Sequence, residues 1–109
     1  MDTQTVISPN VSIKPATAQA NALGHLVVGG CDTVALADRF GTPLWVLDEA
    51  TIRLAAQACT EGLSVYPNAR AIYAGKAFLC LAMCKLVQQL GFGLDVVSQG
   101  ELLTAERAG

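Results

Sequence analysis

The chain has 109 residues, of which 52% are apolar and only 15% are charged, and its mean hydropathy is +0.43. Soluble domains average about 25% charged residues, and a chain this short leaves much of its surface in water, so the composition reads like the inside of something larger. The hydrophobicity excludes disorder over most of the chain, and a net charge of −2 excludes an electrostatic nucleic-acid binder.

Residues 1–22 are rich in Thr, Asn, Gln, Pro and Ala and show no periodicity, which predicts a flexible leader. Residues 23–40 hold a small strand, His25-Leu26-Val27-Val28, closed by a Gly29-Gly30 turn, and a short helix from Thr33 to Phe40. Gly41-Thr42-Pro43 is a breaker. From residue 41 to 109 the order becomes regular. Leu44–Leu47 reads as a buried strand with Trp45 in the core, and Asp48 stands at the N-cap of the next helix. Over Glu49–Leu63, apolar Ile52, Ala55, Ala56, Cys59 and Leu63 recur at spacings of three and four, with Glu49 and Arg53 an i,i+4 pair. Ala71–Ala74 is a second strand, Phe78–Leu90 a second helix stopped by Gly91, and Leu94–Val97 a third strand. Ser98 and Glu101 have capping-box spacing and open a third helix that runs to Gly109.

Strand, helix, strand, helix, strand, helix with short loops predicts an α/β fold with a parallel sheet. A doubly wound open sheet, as in a small flavodoxin-like domain, and a (β/α)8 barrel both satisfy this order. A barrel takes about 250 residues, so roughly three of its eight units would be present. The apolar run Ala77–Cys84 ends at Lys85, well short of the roughly 20 residues a membrane span needs. Met1-Asp2-Thr3-Gln4 lacks the basic and apolar regions of a secretory signal, so the expected location is the cytoplasm.

Lys76 is the first candidate for chemistry. It follows an apolar strand, at the strand end where parallel α/β folds place their sites. Ile72, Ala74, Ala77 and Phe78 around it would partly desolvate the amine and favour its neutral, nucleophilic form. A plain surface lysine at a strand end is the alternative. Asp95 is the second candidate, a charge in an apolar strand that needs a partner, with Lys76 the obvious one; a solvent-facing Asp at a strand mouth is the alternative. The four cysteines, 31, 59, 80 and 84, form no C-x-x-C pair. Cys80 and Cys84 could be two metal ligands on one helix face, but buried reduced thiols are the better reading and no metal site is expected. Gly91-Phe92-Gly93 follows a helix and lacks a third glycine, so it is no dinucleotide fingerprint. His25 reads as a satisfied or exposed histidine, and Ser98 as a cap.

Three blocks then resemble one family in order and spacing. Gly41-Thr42-Pro43-Leu44-Trp45-Val46-Leu47-Asp48-Glu49 looks like the opening of the barrel in diaminopimelate decarboxylases. Tyr73-Ala74-Gly75-Lys76-Ala77 resembles their cofactor-lysine motif, and Gly93 to Leu102 (GLDVVSQGEL) resembles their third-strand segment. The resemblance covers residues 24–109. Phe78 stands where the family most often has Asn, and Trp45 and Leu47 where it often has Tyr. The middle block is shared with ornithine and arginine decarboxylases, whereas the third favours diaminopimelate decarboxylase.

The resemblance implies the first units of an alanine racemase-like, pyridoxal-phosphate (PLP) binding barrel. It implies decarboxylation of meso-diaminopimelate to L-lysine and CO2, a step of lysine biosynthesis, by a homodimer acting on a small amino acid. Lys76 would bond covalently to PLP and Asp95 would lie beside the cofactor. The family's phosphate-binding glycine loop, its substrate-binding residues and its β-rich second domain lie outside these 109 residues, so an incomplete N-terminal part, inactive alone, is expected. The alternatives are a non-catalytic PLP-binding or regulatory relative of the same fold, or another amino-acid decarboxylase of the ornithine/arginine group.

Overall fold

The computed structural model describes residues 10–109, and the first nine residues of the expected leader lie outside them. The chain divides into two compact units, Met1–Leu54 and Ala55–Gly109.

In the first unit the leader expectation needs correction. Strand β1 (Gln19–Ala20) pairs antiparallel with β2 (Leu26–Val28), which pairs antiparallel with β3 (Cys31–Asp32). Strands of two residues, such as β1 and β3, are too short to show an alternating pattern in the sequence. The β2–β3 turn is Gly29-Gly30, with φ of 58° and 80°; two positive φ values in a two-residue hairpin favour glycine at both places. Helix α1 (Thr33–Phe40) forms where predicted and ends at Gly41, whose φ is 81°.

Two carboxylates organise this unit. Asp32 caps α1, its Oδ1 accepting from the Val34 and Ala35 N–H groups. Its Oδ2 accepts from Asn21 Nδ2 and lies 2.9 Å from His25 Nδ1, so His25 is satisfied within the fold. That contact with His25, followed by the two backbone N–H groups, holds the Asp32 carboxyl below its usual range. Asp48 is only 7% exposed and accepts from the Thr51 and Thr17 hydroxyls. These bonds, Thr51 first, hold its carboxyl low as well. The Asp48 carbonyl accepts from Ile52 N–H, the first bond of helix α2 (Glu49–Leu63), as the N-cap reading expects. The Glu49–Arg53 pair forms at 2.7 Å.

Leu44–Leu47 departs from expectation. It joins no ladder, and Trp45 is 91% exposed instead of being core. Nothing among the described residues pairs with this apolar segment, so its side chains face solvent.

In the second unit, β4 (Ile72–Ala74) pairs parallel with β5 (Gly93–Asp95), in register Ile72 with Gly93 and Ala74 with Asp95. The connection between them is helix α3 (Leu81–Gln89). It starts three residues later than predicted because Gly75–Ala77 forms a single 3-10 turn and Phe78 and Cys80 are extended. Met83, Cys84, Leu86 and Val87 are buried, while Lys85, Gln88 and Gln89 are exposed, the face expected. Gly91 (φ 71°) ends the helix, with Phe92 N–H on the Val87 carbonyl and Gly91 N–H on that of Gln88. Helix α4 (Gln99–Ala108) packs on α3 and is capped by Ser98, whose Oγ accepts from Glu101 N–H. Glu101 reaches back to Val97 N–H at 2.7 Å, one residue before the cap. The parallel sheet has two strands among the described residues, where three were predicted.

All four cysteines are free thiols, but only Cys84 is buried; Cys31 and Cys59 are exposed. In the apolar stripe that includes Cys59, Ala56 is buried and Ile52 and Leu63 are half-buried, while Ala55 and Cys59 are exposed, so a stripe read from spacing alone does not guarantee burial. No described helix is long and apolar enough to cross a membrane, and no group of three metal-ligating side chains occurs among the described residues.

Candidate active site around Lys76

The site begins with the parallel register. Asp95 ends β5 directly opposite Ala74, the last residue of β4, and Lys76 follows two residues later. Both candidates therefore come to the carboxyl ends of adjacent strands, the side on which parallel α/β sheets carry their sites.

The turn between them is tightly fitted. Gly75 is buried, and a Cβ built on it would lie 2.8 Å from the Asp95 carbonyl oxygen and 3.5 Å from Leu79 Cδ2. Glycine is needed here because β5 backbone approaches closely, not because of an unusual φ. On the other side of Lys76, Tyr73 Oη donates to the Phe78 carbonyl at 2.8 Å. Tyr73 thereby closes a loop of chain over the 3-10 turn. Within the Tyr73–Ala77 motif, Tyr73 and Gly75 each make a contact that spacing alone does not show. The aromatic ring five residues before a carbonyl was the available signal, but spacing cannot show which way a hydroxyl reaches.

Lys76 and Asp95 are both exposed, and no hydrogen bond or ion pair joins them among the described residues. The expected desolvation of Lys76 by Ile72, Ala74, Ala77 and Phe78 is thus not present. Ile72 and Phe78 are themselves exposed, so they do not form a low-dielectric wall around the amine. The expected Lys76–Asp95 pair is also not made, although the register brings their strand ends together.

Two clefts of about 370 Å³ each lie in this unit and share Arg70, Gly91 and Phe92. Those residues precede β4 and β5, so the clefts sit at the amino ends of the strands, away from Lys76. Position on the sheet, not cavity size, singles out the Lys76 end.

For a carbonyl cofactor the residues present fit at one point. Lys76 offers an exposed primary amine without an ionic partner among the described residues, on a turn fixed by Gly75 and Tyr73. A primary amine is the group that can bond covalently to an aldehyde carbon once it is deprotonated.

Comparison with known proteins places the chain in a family. The chain is 47% identical over 103 residues to the diaminopimelate decarboxylase of Synechocystis sp., covering 93% of this chain and 22% of that protein. It is 49% identical over 94 residues to that of Halalkalibacterium halodurans, covering 85% of this chain and 21% of the relative. A crystal structure of diaminopimelate decarboxylase from M. jannaschii in complex with L-lysine superposes with a TM-score of 0.76 at 33% identity, over 86% of this chain and 23% of that one. The chain thus spans little more than a fifth of the length of these relatives, and its α/β units are the N-terminal part of their PLP-enzyme barrel. Residues 50–109, which hold α2, the Lys76 turn, β5 and α4, match the family described as pyridoxal-dependent decarboxylase, pyridoxal binding domain. With more than half of its length in that match, the chain belongs to the pyridoxal-dependent decarboxylases.

Proposed function

We propose that these residues serve a PLP-dependent diaminopimelate decarboxylase, in which Lys76 holds the cofactor covalently and Asp95 lines the same end of the sheet. The carrying observation is the exposed Lys76 amine on a doubly held turn at the carboxyl end of β4, inside the pyridoxal-binding match. When bound, PLP supplies an electron sink for the carbanion that loss of CO2 leaves. The chain's own part is positional. Gly75 brings the β4 turn against β5, and that turn carries Lys76 two residues past the strand end. Asp95 adds a carboxylate at the end of the neighbouring strand, where it can attract a cationic group of cofactor or substrate. The substrate is meso-diaminopimelate and the products L-lysine and CO2; the working form is a homodimer in the cytoplasm. The names of the relatives and the L-lysine in the M. jannaschii complex support this choice of substrate.

The test is borohydride reduction of the full-length polypeptide carrying these residues, with PLP bound, followed by peptide mapping. The reduced adduct is expected on Lys76, and Lys76→Ala should abolish both adduct and decarboxylation. An adduct on another lysine, or undiminished turnover by Lys76→Ala, overturns the assignment.

A further inference from the structure

We propose that Tyr73 is a positioning residue for Lys76, acting through its hydroxyl bond to the Phe78 carbonyl. This rests on the reading that Lys76 holds PLP. The chain between Gly75 and the start of α3 is short and irregular: one 3-10 turn, then extended Phe78 (φ −169°, ψ 128°) and extended Cys80. Regular hydrogen bonding resumes only with Cys84 N–H on the Cys80 carbonyl. Gly75 fixes the start of this stretch against the Asp95 carbonyl. Tyr73 fixes it again beyond Lys76, at 2.8 Å. Lys76 therefore sits between two anchors, one made by the absence of a side chain and one by a hydroxyl.

The hydroxyl anchor is separable from packing. Tyr73 pairs with Leu94 in the β4–β5 register and its ring is part-buried. Tyr73→Phe keeps that ring and deletes only the bond to Phe78. Freed of it, the carbonyl can turn to water, and the turn gains a degree of freedom that Lys76 inherits. Misplacement of a reacting group by a fraction of an ångström is enough to weaken a covalent site.

The experiment uses the full-length polypeptide loaded with PLP. Wild type, Tyr73→Phe and a control, Tyr66→Phe, are compared; Tyr66 is exposed and lies away from the turn. Three quantities are read: PLP affinity, the pH midpoint of the bound cofactor's visible absorption, and the melting temperature. Tyr73→Phe is expected to weaken PLP about fivefold, the usual worth of one hydrogen bond, and to shift the absorption midpoint, with the borohydride adduct still on Lys76. Tyr66→Phe should leave affinity and midpoint at wild-type values. If Tyr73→Phe lowers only the melting temperature, with affinity and midpoint unchanged, the residue is a brace and the proposal is overturned. An adduct away from Lys76 in the wild-type protein overturns the assignment of Lys76 itself, and this proposal with it, before any variant is compared.

Discussion

Gly75 lies so close to the backbone of Asp95 that a methyl group added there would stand 2.8 Å from the Asp95 carbonyl oxygen. Real Cβ atoms do not approach backbone oxygens this closely, so Gly75→Ala must push β4 and β5 apart or tilt the turn. Overpacking of this kind costs about 1–3 kcal/mol. Chemical denaturation of the full-length variant should show that loss, together with weaker PLP binding. A variant that unfolds at the wild-type midpoint would contradict the close approach.

The two capped helix starts in the first unit predict an acid limb. Asp32 and Asp48 both have carboxyls held below their ordinary value of 3.8. A carboxyl whose folded pKa is depressed contributes stability above its unfolded pKa, and that contribution disappears as pH falls through the folded one. The protein should therefore hold this contribution at neutral pH and lose it from about pH 4 downward. Denaturation midpoints of wild type, Asp32→Asn and Asp48→Asn between pH 3 and 7 test this. The variants should be less stable at neutral pH and show a shallower acid limb; equal limbs in all three would refute it.

Thiol reactivity should follow the burial order. Burial pushes the Cys84 thiol up, and neighbouring Cys80 adds to the effect, so Cys84 is slow to form the reactive thiolate. Cys31 and Cys59 are exposed. Under native alkylation with mass-spectrometric readout, those two should label first and Cys84 last. Early labelling of Cys84 would mean that α3 is not packed as described.

Ser98→Ala removes the oxygen that accepts Glu101 N–H at the start of α4. The expected cost is about 1 kcal/mol, measured by urea denaturation. Glu101→Gln should be milder, since an amide oxygen can still accept from Val97 N–H. The reverse ranking would show that the Glu101 bond, not the Ser98 cap, starts the helix.

Expressed alone, the 109 residues should self-associate. Trp45 is 91% exposed, with Leu44, Val46 and Leu47 beside it in a segment that joins no sheet. Contiguous exposed apolar groups and unpaired extended chain are association hazards. Sedimentation should show oligomers, and Trp45 fluorescence should be that of an indole whose environment changes with concentration. A concentration-independent monomer with a sharp melting transition would contradict this.

Much of this architecture was legible in the residues because local signals agreed. Thr33–Phe40 and Glu49–Leu63 carry helical spacing with Asp32 and Asp48 before them, and both helices form within those bounds. Gly41 and Gly91 mark helix ends because each takes positive φ. The failures share one cause. Trp45, Cys59 and Lys76 were assigned burial from their own sequence neighbours, yet burial depends on what a distant segment lays over them. The same holds for the site. The sequence puts Lys76 just past a strand end, where the structure has it, but puts Asp95 near the start of a strand Leu94–Val97, whereas β5 is Gly93–Asp95 and Asp95 ends it. It could not show that no ion pair links them, nor that Tyr73 and Gly75 hold the turn, because those facts depend on distances across the chain.

Thr17 has a wider reach than its place near the start of the chain suggests. Its hydroxyl accepts from Gly29 N–H at 2.7 Å and donates to Asp48 Oδ2 at 2.7 Å. One small side chain thus staples the leading segment to a hairpin turn and to the residue that launches a fifteen-residue helix. Trimming the chain to begin at Ala18 would not be a neutral tidying of a loose end. It would leave a turn amide and a buried carboxylate short of a partner together.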